Sequence, residues 1–89
     1  MTIPVSVEEI SDSAFKYCES LKEVVFEAGS ALKKIGNDAF RSCKNLKNIQ
    51  FPDNLETIGN RCFCNSGLEE AVLPMSIRSV ESGAFHECK

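Results

Sequence analysis

The feature that most constrains this chain is an internal repeat that fills it. From Ile10 the sequence passes through Ile10, Ala14, Phe15, Cys18, Leu21, Val24, Phe26 and Leu32. From Ile35 the same residue types return as Ile35, Ala39, Phe40, Cys43, Leu46, Ile49, Phe51 and Leu55. A third pass reads Ile58, Cys62, Phe63, Ser66, Leu68, Ala71, Leu73 and Ile77, and Val80, Ala84, Phe85 and Cys88 open a fourth. The starting residues lie 25, 23 and 22 positions apart. Self-similarity at a period of about 20–50 residues marks a solenoid or an array. A unit of this size cannot bury its own apolar face, so successive units must stack.

Each unit divides into three parts. Asp12, Asn37, Asn60 and Ser82 stand two positions after the starting residues. All four are residue types that cap helix N-termini, so the segment that follows, such as Asp38 to Cys43, is predicted to make a short helical turn. Gly36 and Gly59 suit a tight bend with positive φ, although Ser11 and Glu81 hold that place in the other units. Next comes Leu-x-x-Ile-x-Phe at Leu46, Ile49 and Phe51, with counterparts Leu21, Val24, Phe26 and Leu68, Ala71, Leu73. Its alternation predicts a strand, which Pro52 and Pro74 end because proline cannot donate to a ladder. A second short extended segment, Leu55 to Ile58, closes the coil. Unit one carries a longer loop at Glu27 to Ala31. Unit three is one residue short between Phe63 and Leu68, where Gly67 tightens the turn. Stacked units place equivalent residues about 4.8 Å apart. This predicts a parallel sheet on one face and an interior column of Phe15, Phe40, Phe63 and Phe85, each ring removing roughly 150–250 Å² from water.

The unit IGNDAFRSCKNLKNIQFPDNLETIG, Ile35 to Gly59, resembles the repeat of the BspA-like leucine-rich repeat family. The resemblance implies an α/β repeat fold. That fold is a right-handed leucine-rich repeat solenoid of about 3.5 coils, with short parallel strands and short helical turns. The whole of 1–89 reads as one solenoid segment, with repeats at 10–34, 35–57 and 58–79 and partial units at 1–9 and 80–89. It opens and closes in mid-unit with no capping segment, so a piece of a longer protein is expected, able to self-associate through its uncapped ends.

The net charge is −3 and no basic run exceeds Lys33-Lys34. That argues against nucleic acid or an anionic membrane as the partner. No apolar run approaches the roughly 20 residues a bilayer span needs. The first residues lack the basic and apolar regions of a signal peptide. Of the five cysteines, Cys18, Cys43 and Cys88 each follow a phenylalanine by three positions. They read as small buried hydrophobes of the core. Cys62-x-Cys64 and His86-x-Cys88 have the residue types of a zinc site. Their repeat positions send Cys62 and Cys88 inward, and Cys64 and His86 outward, so the four do not converge as zinc requires. Cys64 is then an exposed, reactive thiol. No metal, cofactor or catalytic set is expected, and the chain is not read as an enzyme.

The binding surface of a leucine-rich solenoid is usually its strand face. The outward positions there are Glu23, Val25, Asn48, Gln50, Glu70 and Val72. Val25 and Val72 add apolar area to a polar face. The expected function is a non-enzymatic protein-interaction module. The resemblance implies relatives in large surface proteins of bacteria and parasitic protists, some of which bind host matrix proteins or other cells. A segment of a surface adhesin or recognition protein, outside the cell or on its surface, is the first reading. An intracellular scaffold or spacer repeat is the alternative.

Overall fold

The computed structural model describes residues 1–87 and contains eight short strands. They are β1 (Thr2–Ile3), β2 (Glu9–Ile10), β3 (Val25–Phe26), β4 (Lys34–Ile35), β5 (Asn48–Gln50), β6 (Thr57–Ile58), β7 (Glu70–Val72) and β8 (Ser79–Val80). Every pairing is parallel. The register repeats the sequence period: Ile10 opposes Ile35, Ile35 opposes Ile58, and Ile58 opposes Val80. Stacking of successive units therefore generates the fold, and the short parallel strands are those of a repeat solenoid.

The interior follows the repeat. Ile35, Ala39, Phe40, Cys43, Leu46, Leu55, Ile58, Cys62 and Phe63 are fully buried. The four phenylalanines form one column, with ring centroids 5.3, 5.2 and 5.4 Å apart and nearly parallel planes. Phe51 meets Phe63 edge-on from the strand side. Burial is most complete in the middle units, where a neighbour covers each side. Phe15, Cys18 and Phe85 are only half-buried, and Met1, Val5, Val72, Leu73, Met75 and Val80 are exposed towards the two ends.

The helical turn expected after each capping residue is absent among the described residues. Consecutive β-turns take its place. Ala39 N–H bonds to the Gly36 carbonyl, Arg41 to Asp38, and Cys43 to Phe40. The intervening N–H groups cross to the next coil. Asp38, Phe40 and Ser42 donate to the Asn60, Cys62 and Cys64 carbonyls at 2.8–2.9 Å, and Ser13, Phe15 and Tyr17 donate likewise to Asn37, Ala39 and Arg41. A helix would spend all these donors along its own chain. Here half of them tie the coils together.

The supposed N-caps do the same. Asp12 Oδ1 accepts the Asn37 N–H at 2.8 Å, and Asn37 Oδ1 accepts the Asn60 N–H at 2.7 Å. They are rungs between coils.

Positive φ falls elsewhere than expected. Gly36 and Gly59 do not adopt it, whereas Ser13, Asp38, Arg61 and Gly83 share one such position and Tyr17, Ser42, Asn65 and Glu87 share another. Apart from Glu87, whose turn would run into residues outside those described, each is the third residue of a β-turn, where positive φ makes the turn type II. Glycine at 36 and 59 answers to space. A Cβ on Gly59 would lie 2.6–2.7 Å from Asn37 Oδ1, Asn37 N and Gly36 C. Gly67 is equally tight, since a Cβ there would stand 2.1 Å from the Lys44 carbonyl oxygen. Its absence lets the shortened third unit settle onto the second.

The expected single sheet on the Leu-x-x-Ile-x-Phe face is divided. β1 pairs with β3 and β5 pairs with β7, but β3 and β5 are not joined. The continuous sheet lies on the second extended segment, in the order β2-β4-β6-β8. Two extra residues after Phe26 account for the division. The long loop turns on Gly29, at φ 79°, and bonds back towards the first strand. Ala31 N–H reaches the Val5 carbonyl at 2.9 Å, and Glu27 Oε1 accepts the Val5 N–H at 2.7 Å. β3 is thereby bonded to β1, and it lies against β5 without a ladder between them.

Candidate functional site

The strand face is built by alternation. Val24 and Ile49 point into the core, so their neighbours point out. Glu23, Val25, Asn48, Gln50, Glu70 and Val72 are all exposed. The structure brings them onto one surface: Asn48 opposes Glu70 and Gln50 opposes Val72 in the paired strands. Val25 is 44% exposed and Val72 is 72% exposed. Ala71 in β7 and Leu73 just after it, the inward positions of this unit, are exposed as well, because among the described residues no further strand pairs with β7.

Two concavities mark this face. One of about 670 Å³ lies over β5 and β7 and is lined by Lys47, Gln50, Glu69, Glu70 and Val72 among others. The other, about 500 Å³, lies over β3 and β5. Residues 23–30 form one wall and residues 48–54 the other. Its floor is apolar, with Val24 and Ile49 buried beneath half-buried Phe26 and Phe51. Its ionisable residues are all acidic: Glu23, Glu27 and Asp53. The six outward residues are exposed as the alternation predicts, whereas this concavity was not foreseen from the sequence. The longer loop was its only visible sign.

Among the described residues Cys43 and Cys62 are buried in the core and Cys18 packs half-buried against it. Burial pushes the Cys43 thiol up to about 11, and the Cys62 thiol up to about 12. Both stay protonated near neutrality, where the unreactive thiol dominates. Cys43 Sγ donates to the Phe15 carbonyl at 3.1 Å, so the thiols also bridge coils. Cys64 is buried, against the expectation of an exposed thiol. Its position holds long side chains in units one and two, whose ends reach solvent. Cysteine is too short to follow them, and its backbone is fixed beneath the Ser42 N–H that its carbonyl accepts. His86 is exposed beside Glu87, with Nε2 and Oε1 3.6 Å apart. Cys88, the last residue of the zinc-like pattern, lies outside the described residues. Among the described residues no helix is long and apolar enough to cross a membrane.

A family model described as a BspA type leucine rich repeat region matches residues 1–89, in six copies. No curated protein and no solved structure matches the chain.

Proposed function

The chain belongs to the BspA-type leucine-rich repeat family, and from that premise we propose that it is a recognition segment of a cell-surface adhesin that binds a protein partner through its strand face. Leucine-rich repeats are generally protein-interaction modules. The observation that carries the reading is the row of six exposed side chains, from Glu23 and Val25 to Glu70 and Val72, beside two shallow concavities. The row mixes hydrogen-bonding groups with isolated apolar ones, the composition of a polar, non-obligate interface. Most of the row stands on hydrogen-bonded strands, which lowers the ordering cost of binding. In this reading the solenoid coils right-handedly through about 3.5 turns, as parallel crossovers nearly always do, and its role is binding without catalysis.

The test is capture of purified extracellular-matrix proteins by the immobilised chain. Gln50→Arg together with Val72→Arg is expected to abolish capture without lowering the melting temperature. Lys44→Ala, an exposed change in the turn after Cys43, is expected to leave capture intact. Binding that survives the double change moves the site off the strand face. Failure of the unaltered chain to hold any matrix protein turns the reading towards a scaffold or spacer.

A further inference from the structure

We propose that the chain stacks head to tail on a second copy of itself. The coil bearing Phe85 lies on the coil bearing Phe15 of the next copy, and one solenoid runs through both chains. The contact uses the coil ends and leaves each strand face free for its partner.

The two ends are open in complementary ways. In the turn column each coil donates N–H groups to the carbonyls of the coil after it. At one end the Gly83 and Phe85 N–H groups have no acceptor among the described residues, and at the other the Asp12 and Ala14 carbonyls have no donor. Head-to-tail stacking brings these donors to these acceptors in the pattern that already joins the coils within the chain. A two-fold contact between like ends sets donors against donors or acceptors against acceptors. Burial is open at the same places. Ala14 is exposed, whereas Ala39, Cys62 and Ala84 are buried against the coil before them. Val80 is 41% exposed, whereas Ile10, Ile35 and Ile58 are buried against the coil after them. Phe15 and Phe85, both half-buried, continue the ring column across the junction.

The lengths also match. β1 and β2 lie at one edge of their sheets, and β7 and β8 at the other. Ile3 to Ile10 is a step of seven residues, and so is Leu73 to Val80. Phe51 to Ile58 is also seven, and between that unit and the next both strand pairs form, β5 with β7 and β6 with β8. The junction has the same equality, so β7 can pair with β1 of the next copy while β8 pairs with β2. Open strand edges are templates for such pairing.

Charge agrees with this direction. Lys33, Glu56 and Arg78 each donate N–H to the carbonyl of the residue before them in the column Glu8, Lys33, Glu56, Arg78. The signs alternate along it. Stacking places Arg78 beside Glu8 of the next copy and continues the alternation, and opposite charges on facing strand positions attract.

The test is light scattering of the whole 89-residue chain from about 5 µM to 1 mM. The mean mass is expected to rise past that of a dimer, because a heterologous contact does not close on itself. Ala14→Arg blocks one end and Val80→Arg the other, since stacking would bury an unpaired guanidinium. Each variant alone is expected to stay monomeric and to melt as the unaltered chain does. Their equimolar mixture is expected to form dimers and nothing larger, from the one open end left on each. A charge pair gives a second reading without touching the interior. Glu8→Arg and Arg78→Glu are each expected to weaken association about tenfold alone, and their mixture to recover it. A strictly monomeric unaltered chain overturns the stacking and leaves the coil ends to another protein. Association of either arginine variant by itself points to a two-fold contact and overturns it too, as does failure of the charge-reversed mixture to recover.

Discussion

The turn column and the strand face are two sides of the same coils, yet they tolerate change very differently. From each starting residue to its phenylalanine the spacing is always five: Ile10 to Phe15, Ile35 to Phe40, Ile58 to Phe63, Val80 to Phe85. All the variation in unit length falls after the phenylalanine. Two residues are gained between Phe26 and Leu32, and one is lost between Phe63 and Leu68. The column cannot absorb such changes, because every second N–H in it is committed to the neighbouring coil. An added residue there would misplace each of those bonds, and an unpaired buried donor is costly. On the strand face the added residues opened one pairing and left the interior intact. Regularity therefore sits where the backbone bonds cross between coils, and variation sits where a loop can reach solvent.

The sharpest test of this contrast is Phe40→Ala. Its ring is fully buried between Phe15 and Phe63, so truncation leaves a cavity expected to cost about 3–5 kcal/mol. Phe85→Ala, half-buried at the end of the column, should cost much less. Denaturant melts of the two variants decide it, and equal losses would show that the column does not carry the fold. A smaller effect is expected from Gly59→Ala. The new Cβ would meet backbone and a short side chain of the coil before it, and overpacking of this kind costs about 1–3 kcal/mol. A melting temperature equal to that of the unaltered chain would mean that the coils can spread apart without penalty. The smallest effect is expected on the other side. One glycine inserted after Ala28 lengthens a loop that is already exposed, at an expected cost under about 0.6 kcal/mol. A loss above 2 kcal/mol by the same melts would erase the distinction between the two regions.

Periodicity made the interior legible in the sequence. The phenylalanine column, the inward cysteines at 43 and 62, and the outward residues of the strand face all follow from counting. The backbone of the turn was not legible for a specific reason. Ala39, Phe40 and Cys43 are spaced as one helical turn would space them, and only the carbonyls of the next coil decide against it. That information lies 22–25 residues away. Gly36 and Gly59 misled in a similar way, because a glycine signals both positive φ and close approach. The substitution that did carry the answer is Gly83, which occupies the place of Ser13, Asp38 and Arg61. Cys64 was misplaced because outward parity predicts direction, whereas burial depends also on side-chain length. The division of the strand-face sheet was foreshadowed by the extra residues of the long loop. Its consequence depended on whether that loop bonded forwards or backwards, which no local pattern encodes.

The ladder of the turn column has an electrical consequence. The peptide units preceding Ser13, Phe15 and Tyr17, and those preceding Asp38, Phe40 and Ser42, all direct N–H towards the following coil, while the peptides between them lie across the axis closing turns. In an ordinary sheet neighbouring strand dipoles largely cancel. Here those along the axis add, each about 3.5 D, as in a helix laid parallel to the stack. The polarity is set by the direction of the bonds: partial positive charge gathers at the coil bearing Phe85, and partial negative charge at the coil bearing Phe15. Glu81 and Glu87 stand at the positive end and Lys16 near the negative one, with the field of the backbone, whereas Asp12 and Glu19 on either side of Lys16 stand against it.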